Sequence, residues 1–212
     1  MQRSSFVIAV VVLVALLGAG IWWIRELPPH GNGKTRLTNT PPDVAILQLN
    51  NRGVGYMERF QYKEALDAFL QVYRQAPSWL PGHVNLGIAL LNTADPNQVT
   101  RAVQIFEKIL EQDPDNLHAH FCLGIILKHQ QNQEEAADHF RAVTRRDPHD
   151  PHAWFFLANT LPPLSAEQQE CFEKALREDP NLVGALYGEL LGKPSWGIEG
   201  MAAGALIGIP AS

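Results

Sequence analysis

One spaced pattern of residue types recurs four times between Ile46 and Asn181, and it constrains the fold more than any other feature. Consecutive prolines of the pattern lie 37, 34 and 32 residues apart. Self-similarity at such a period is typical of proteins built from stacked structural repeats. The pattern comprises a small residue (Gly53, Gly87, Gly124, Ala158), an alanine in three copies (Ala65, Ala102, Ala136), a phenylalanine (Phe69, Phe106, Phe140, Phe172) and a proline (Pro77, Pro114, Pro148, Pro180).

The spacing within each copy predicts two antiparallel helices. Closely packed helices have axes roughly 8–10 Å apart, which leaves no room for a large side chain at their closest point. We therefore expect Gly53 to pair with Ala65 there, and the next two copies to do the same. The phenylalanine is expected to bury its ring between its own hairpin and the next. The proline ends the second helix, because it lacks an N–H group and disfavours a helical residue before it.

These offsets resemble the signature of the tetratricopeptide repeat family, over about 136 of the 212 residues. The resemblance implies an all-α, right-handed α-solenoid of about four helix hairpins, in repeats 46–79, 80–116, 117–150 and 151–181. Tyr56 and Trp154 fit aromatic positions of the family. The fourth repeat departs from it, since Ala158 replaces glycine and a double proline shortens the hairpin. Ser165 and Gln168 have the spacing of a capping box, which would restart the second helix.

The predicted helices cover residues 44–59, 62–75, 80–92, 98–112, 117–130, 133–146, 151–161 and 166–178. An amphipathic stretch at residues 183–191 is predicted to cap the last hairpin, because a stacked array must cover its terminal apolar face. The repeat domain would then span residues 44–191. Residues 192–212 form a tail rich in glycine and alanine, too short to span a bilayer.

A second kind of segment precedes the repeats. After a short tail at residues 1–5, nineteen residues from Phe6 to Ile24 carry no charge. They would span about 28 Å as a helix, close to the thickness of a bilayer core, which predicts a transmembrane signal anchor. A cleaved signal peptide is the alternative. Residues 25–43 are predicted to form a flexible linker.

The side of the membrane that holds the repeats is less constrained. A signal anchor with a short amino-terminal tail favours an extracytoplasmic, periplasmic location. A count of the positive residues on each side favours the cytoplasm, because Arg25, Lys34 and Arg36 follow the apolar segment and only Arg3 precedes it. We expect the extracytoplasmic arrangement.

Composition and motifs argue against several classes of function. A net charge of −5 is unlike the basic face of a nucleic-acid binder. Cys122 and Cys171 have neither disulfide-framework nor metal-site spacing. His118 and His120 would point to different faces of one helix, and the sequence has no phosphate-binding loop or hydrolase motif. We therefore predict no enzyme activity, no cofactor and no metal.

The resemblance implies that the first helix of each hairpin lines a groove that binds a peptide or protein segment. Only fragments of the family's carboxylate clamp are present, at Asn50 and Lys128. The groove is largely apolar, with Phe121 and Phe155 expected side by side, so an apolar helix or extended segment is the expected ligand. Alternatively, the tail at residues 200–212 fills the groove. The predicted groove residues are Asn50, Val54, Met57, Val84, Ile88, Leu91, His118, Phe121, Ile125, Lys128, His152, Phe155 and Asn159, and the resemblance also assigns Glu58, Asn92 and His129 to the thirteenth positions of their repeats.

The sequence therefore predicts a membrane-tethered scaffold for protein–protein interaction. The alternative is a non-catalytic structural subunit that packs permanently within an envelope complex.

Overall fold

The computed structural model describes residues 35–180, which contain eight α-helices and no β-strand. From Arg36 onward these residues belong to one compact unit. The prediction of an all-α fold is confirmed for this part of the chain. In order, the helices are α1 (Val44–Glu58), α2 (Tyr62–Gln75), α3 (Leu80–Asn92), α4 (Pro96–Gln112), α5 (Leu117–His129), α6 (Gln133–Arg146), α7 (Pro151–Ala158) and α8 (Ala166–Glu178).

The helices form four hairpins that stack in sequence. Each odd-numbered helix packs against the even-numbered helix that follows it, and α2, α4 and α6 then pack against the first helix of the next hairpin. In addition, α1 contacts α3 and α3 contacts α5. The first helices of the first three hairpins therefore form a continuous row.

Each repeat glycine accommodates the phenylalanine ring of its own hairpin. A Cβ placed on Gly53 would lie 2.6 Å from Cε1 of Phe69, and one on Gly124 would lie 2.8 Å from Phe140. The expected pairing of glycine with alanine is thus corrected, because the ring is what lies nearest to the glycine. The repeat alanines are fully buried as predicted.

The first three hairpins turn at a residue with a left-handed backbone conformation that is not glycine. Phe60, Ala94 and Gln131 have φ of 58°, 55° and 63°, and each lies two residues beyond the end of the first helix of its hairpin. Glycine is the usual residue at this position because it has no Cβ to clash. Because none of these three residues is glycine, the sequence contains no indication of where the left-handed turn positions lie.

Most helix boundaries agree with the predictions, and the two largest differences have local causes in the sequence. Helix α4 starts at Pro96 rather than residue 98, because the Asp95 side chain accepts a hydrogen bond from the Asn97 amide. Helix α7 ends at Ala158 rather than residue 161, since Pro162 disfavours a helical residue before it.

The predicted capping box at the start of α8 forms with one altered partner. The Ser165 hydroxyl accepts from the Gln168 amide at 3.1 Å, as expected. The Gln168 side chain accepts from the Leu164 amide at 2.8 Å, one residue before the position that the motif predicts.

The end of the predicted linker is docked on the repeats. The Thr38 amide donates to the Ser78 carbonyl at 2.7 Å, and its carbonyl accepts from the Leu80 amide at 2.9 Å. The Leu37 amide donates to the side chain of Gln112 at 2.7 Å. The prediction of a free linker as far as residue 43 is therefore corrected at Leu37 and Thr38.

Several predicted segments lie outside the described residues: the apolar segment at 6–24, most of the linker, the cap at 183–191 and the tail at 192–212. Among the helices of residues 35–180, none has the length and hydropathy needed to cross a bilayer.

Candidate functional site

The predicted groove residues all lie on α1, α3, α5 and α7 or, for Asn159, at the end of α7. Direct contacts of α1 with α3 and of α3 with α5 bring the first three of these helices into one row. The residues differ in exposure, and the difference separates packing residues from residues that a ligand could reach.

The large apolar residues of the predicted groove are buried. Phe121 is 4% exposed and Phe155 is 3% exposed. Their rings are joined through Phe156, which lies 5.5 Å from Phe121 and 5.7 Å from Phe155 between ring centroids. These rings belong to the core formed by the third and fourth hairpins. Met57, Val84, Ile88, Leu91 and Ile125 are buried in the same way.

Half-exposed residues form the accessible part of the predicted groove: Val54, His118, Lys128, His152 and Asn159. Partial burial lowers the pKa of Lys128. In residues 35–180, no carboxylate lies within ion-pair distance of Lys128. Its half-buried charge is therefore not balanced by an ion pair in this part of the chain, and a partly buried charge without such a partner is energetically costly.

Two histidines, His118 on α5 and His152 on α7, are linked to Asp150 at the start of α7. Burial lowers the pKa of His118, and the negative charge of Asp150 partly offsets this effect. The Asp150 carboxylate caps α7 by accepting from the His152 and Ala153 amides. The Nδ1 atom of His152 lies 3.6 Å from the same carboxylate. Asp150 is thus committed to the helix start.

The asparagines of the predicted groove have partners within the fold. Asn50 is buried, and its side-chain oxygen accepts from Asn85 at 2.8 Å, which links α1 to α3. The Asn159 and Asn92 side chains donate to the Phe155 and Ile88 carbonyls, respectively, four residues earlier on their own helices. Asn92 is buried, whereas Glu58 and His129, at the equivalent positions of their repeats, are exposed.

The described part of the chain offers little to a catalytic mechanism. No group of three or more histidine, cysteine, aspartate or glutamate side chains is arranged to hold a metal within residues 35–180. Burial raises the pKa of Cys122 far above its usual value, and raises that of Cys171 to about 11. Neither thiol is therefore activated as a nucleophile.

One side-chain pair escaped the sequence analysis. His120 lies with its Nδ1 atom 2.8 Å from Nδ1 of His139, across the third hairpin. The two residues are 19 positions apart on different helices, so helical periodicity gives no signal for their contact. The contact could be predicted only by knowing that residue 120 on α5 faces residue 139 on α6.

Comparison with known proteins agrees with this architecture. A family model described as the tetratricopeptide repeat matches residues 94–160, from the turn of the second hairpin into the fourth. Residues 94–160 therefore match the tetratricopeptide repeat. The family prediction is thus confirmed, and the fold of this family is generally a non-catalytic scaffold for protein interaction.

Solved structures of similar fold include two of MamA and one of YrrB. A MamA structure labelled AMB-1 is 24% identical and has a TM-score of 0.52, with 70% of this chain and 90% of that chain covered. A MamA double mutant labelled RS-1 is 22% identical, with a TM-score of 0.55 and coverage of 77% and 91%. YrrB, described as a tetratricopeptide repeat protein with an unusual peptide-binding site, is 25% identical, with a TM-score of 0.53 and coverage of 69% and 75%.

Proposed function

We propose that this tetratricopeptide repeat protein is a membrane-tethered scaffold that binds a segment of a partner protein along the row of first helices. The observation that carries the proposal is the contact of α1 with α3 and of α3 with α5, which makes one continuous surface from three repeats. The structural likeness to YrrB, which is described as having a peptide-binding site, supports this use of the fold.

The accessible residues define the chemistry of the partner segment. Val54 offers an aliphatic contact, and Lys128 offers a half-buried positive charge without an ion pair in the described part of the chain. A carboxylate on the partner would restore the electrostatic stabilisation that Lys128 loses by burial. The segment is therefore an extended strand or helix with aliphatic side chains and an acidic group placed against α5.

Phe121 and Phe155 have a different role from the one their repeat positions predict. Because both rings are buried and contact Phe156, their removal would leave a cavity between two hairpins. Binding experiments on Phe121→Ala would confuse lost stability with lost binding. Lys128 is the better probe because its side chain reaches the surface.

The proposed tether is the uncharged segment from Phe6 to Ile24, which is long enough to cross a bilayer. The repeats would then be held on the extracytoplasmic side. Protease added to spheroplasts tests this arrangement: degradation of the repeats, with a cytoplasmic marker intact, supports it. Protection of the repeats until the membrane is lysed would place them in the cytoplasm.

Partner binding can be tested by isolating the full-length protein in mild detergent from the cells that make it. We expect Lys128→Glu to lose the partner, since it places a negative charge against the partner's acidic group. Lys63→Glu is the matched control, because Lys63 is exposed on the second helix α2. Equal recovery of the partner with both variants, at unchanged helical content, would refute the proposed surface.

Exposed apolar residues on the last hairpin favour a second candidate, a permanently packed subunit. Leu164 is 85% exposed, and Leu176 on α8 is 44% exposed. A terminal repeat of a stacked array needs a polar outer face when it stands alone, so exposed apolar side chains there favour contact with another subunit. If this candidate holds, Leu176→Asp will release a co-purifying subunit that Lys128→Glu retains.

A further inference from the structure

The third hairpin carries two imidazole rings in direct contact. The Nδ1 atoms of His120 on α5 and His139 on α6 lie 2.8 Å apart, and the ring centroids lie 5.1 Å apart. Both residues are half-exposed. Neither belongs to the predicted groove, so the proposed binding of a partner does not account for the pair.

A hydrogen bond to the Pro114 carbonyl fixes the tautomer of His120, and the fourth repeat has an equivalent hydrogen bond. Trp154 occupies the equivalent fourth position of α7, and its Nε1 atom donates to the Pro148 carbonyl at 2.8 Å. Nε2 of His120 makes the same contact with the Pro114 carbonyl at 2.9 Å. Because a carbonyl oxygen only accepts, Nε2 of His120 carries a hydrogen. In the neutral ring of His120, the Nδ1 atom therefore carries a lone pair that points towards His139.

One hydrogen between the two Nδ1 atoms explains their short distance. His139 must supply it when both rings are neutral, since Nδ1 of His120 then accepts. Two imidazolium rings could not approach in this way, because two N–H groups would face each other. The pair therefore consists of two imidazole nitrogen atoms that face each other and share one hydrogen.

We propose that His120 and His139 form a two-imidazole binding site for a divalent transition-metal ion of the Cu(II) or Ni(II) kind, held through both Nδ1 atoms. On binding, His139 changes tautomer: its Nδ1 proton leaves to solvent and its Nε2 atom takes up a proton from solvent, so the ring stays neutral. Each Nδ1 atom then donates its lone pair to the ion, with no change of oxidation state. Each ring must turn so that the two lone pairs meet at the ion, which the half-exposed position of both residues permits.

The distance between the two nitrogen atoms can be compared with the distances expected for different N–metal–N angles. Metal–imidazole bonds of about 2.0–2.1 Å separate two ligand nitrogens by about 2.9 Å at a right angle and by about 3.4 Å at a tetrahedral angle. The observed hydrogen-bond distance of 2.8 Å lies nearer to the right-angle value, so the two nitrogen atoms have to shift least for that arrangement when the rings turn. Square-planar and tetragonal sites are those that Cu(II) and Ni(II) prefer, whereas Zn(II) prefers the tetrahedral arrangement.

The surroundings favour a bound cation. The Pro114 carbonyl orients His120 in the way that outer-shell acceptors orient metal-binding histidines. Burial, followed by the charge of His120, lowers the pKa of His139, while the carboxylates of Asp138 and Glu135 act in the opposite sense. These two carboxylates lie close enough to act on a cation held at His139.

The site is expected to be open and exchangeable. No group of three or more candidate ligands is assembled in residues 35–180, so water completes the coordination of the ion. Such a site would bind its metal reversibly, and occupancy would stabilise the third hairpin by joining α5 to α6.

A titration of the full-length protein, made without a histidine tag and held in detergent, tests the proposal with Ni(II), Cu(II) and Zn(II) chlorides. We expect His120→Ala and His139→Gln each to weaken Ni(II) binding by at least about tenfold. His149→Ala is the matched control, because His149 is exposed and pairs with Glu178 instead.

Each outcome decides the matter. Loss of binding in both variants, with the control and the helical content unchanged, supports the site. Binding that is equal in all four proteins, or lost equally in His149→Ala, overturns it. Tighter binding of Zn(II) than of Ni(II) would overturn the assigned geometry. Paramagnetic resonance of the Cu(II) form should show hyperfine splitting from two nitrogens, which both variants should reduce.

Discussion

The ring of Phe106 occupies the space beside Gly87, so that a Cβ on the glycine would lie 2.6 Å from Cζ of the ring. Phe106 is fully buried, and it extends from α4 to α3 within one hairpin. The same relationship recurs at Gly53 and at Gly124. The glycine is therefore needed for the ring, and the ring holds the two helices of each hairpin together.

Gly87→Ala should destabilise the repeats. The added methyl group would force the Phe106 ring or the helices apart, and overpacking of this kind costs about 1–3 kcal/mol. Gly55→Ala is the matched control, because its nearest neighbours are Arg59 guanidinium atoms at 3.8 Å. Alanine is favoured over glycine inside a helix by roughly 0.5–1 kcal/mol, so this control should be neutral or stabilising.

Urea unfolding followed by circular dichroism measures both free energies of unfolding. Equal effects of Gly87→Ala and Gly55→Ala would contradict the role assigned to the ring.

The spacing of residues in the sequence predicted the hairpins but not the internal packing. Gly53, Ala65 and Phe69 could be assigned to facing helices from their offsets alone. Which of the two buried side chains lies against the glycine depends on the rotamer of the phenylalanine and on the crossing of the helices. Neither can be obtained from spacing, so the alanine was expected where the ring lies.

Gln131→Gly should stabilise the third hairpin. Gln131 has φ of 63°, and a left-handed conformation costs a residue with a Cβ roughly 1–2 kcal/mol, a cost that glycine avoids. Gln130→Gly is the control, because Gln130 has φ of −76° and gains nothing from glycine. The midpoint of thermal unfolding should rise for the first variant and fall or stay level for the second. A lower unfolding midpoint for Gln131→Gly would show that the Gln131 side chain stabilises the fold by more than its left-handed backbone conformation destabilises it.

The repeat position of a residue predicted its helix face, but not how far the neighbouring hairpin covers it. Phe121 and Phe155 lie on the first helices as expected, yet both are buried. Their burial arises from Phe156, the residue after Phe155, whose ring packs against Phe121 and Phe140. A family-wide position cannot reveal such a local contact, because it depends on an additional phenylalanine in this chain.

Stability should fall as the pH is lowered from 7.5 to 5.5. Burial is the largest cause of lowered pKa values at His83, His118, His129 and His139. A histidine with a lowered folded pKa contributes full stability above its unfolded pKa of about 6.5, and this contribution is lost as the pH falls below that value. The reason is that the unfolded chain gains protons before the folded one does.

Urea unfolding at several pH values measures this loss, and His118→Gln should reduce its slope. Aspartate and glutamate side chains do not account for a change in this range, since their pKa values lie lower. Unfolding free energy that stays constant or rises between pH 7.5 and 5.5 would contradict the burial of these rings.

Thr38→Pro should release the docked end of the linker. Proline removes the amide that donates to the Ser78 carbonyl, and a lost hydrogen bond of this kind costs about 1 kcal/mol. Thr38→Ala is the control, because the docking uses only the backbone of this residue. Hydrogen exchange at the Leu80 amide should be faster in the proline variant alone. Unchanged exchange would show that the segment is held by other contacts.

Photo-crosslinking in living cells tests the scaffold most directly. A photoreactive amino acid placed at Val54 or at Lys128 lies on the row of first helices, and one at Gln104 lies exposed on the second helix α4. We expect Val54 and Lys128 to crosslink to the same partner protein, and Gln104 to give no such product. If only Gln104 captured a partner, or if all three positions captured the same proteins equally, the first helices would not be the binding surface.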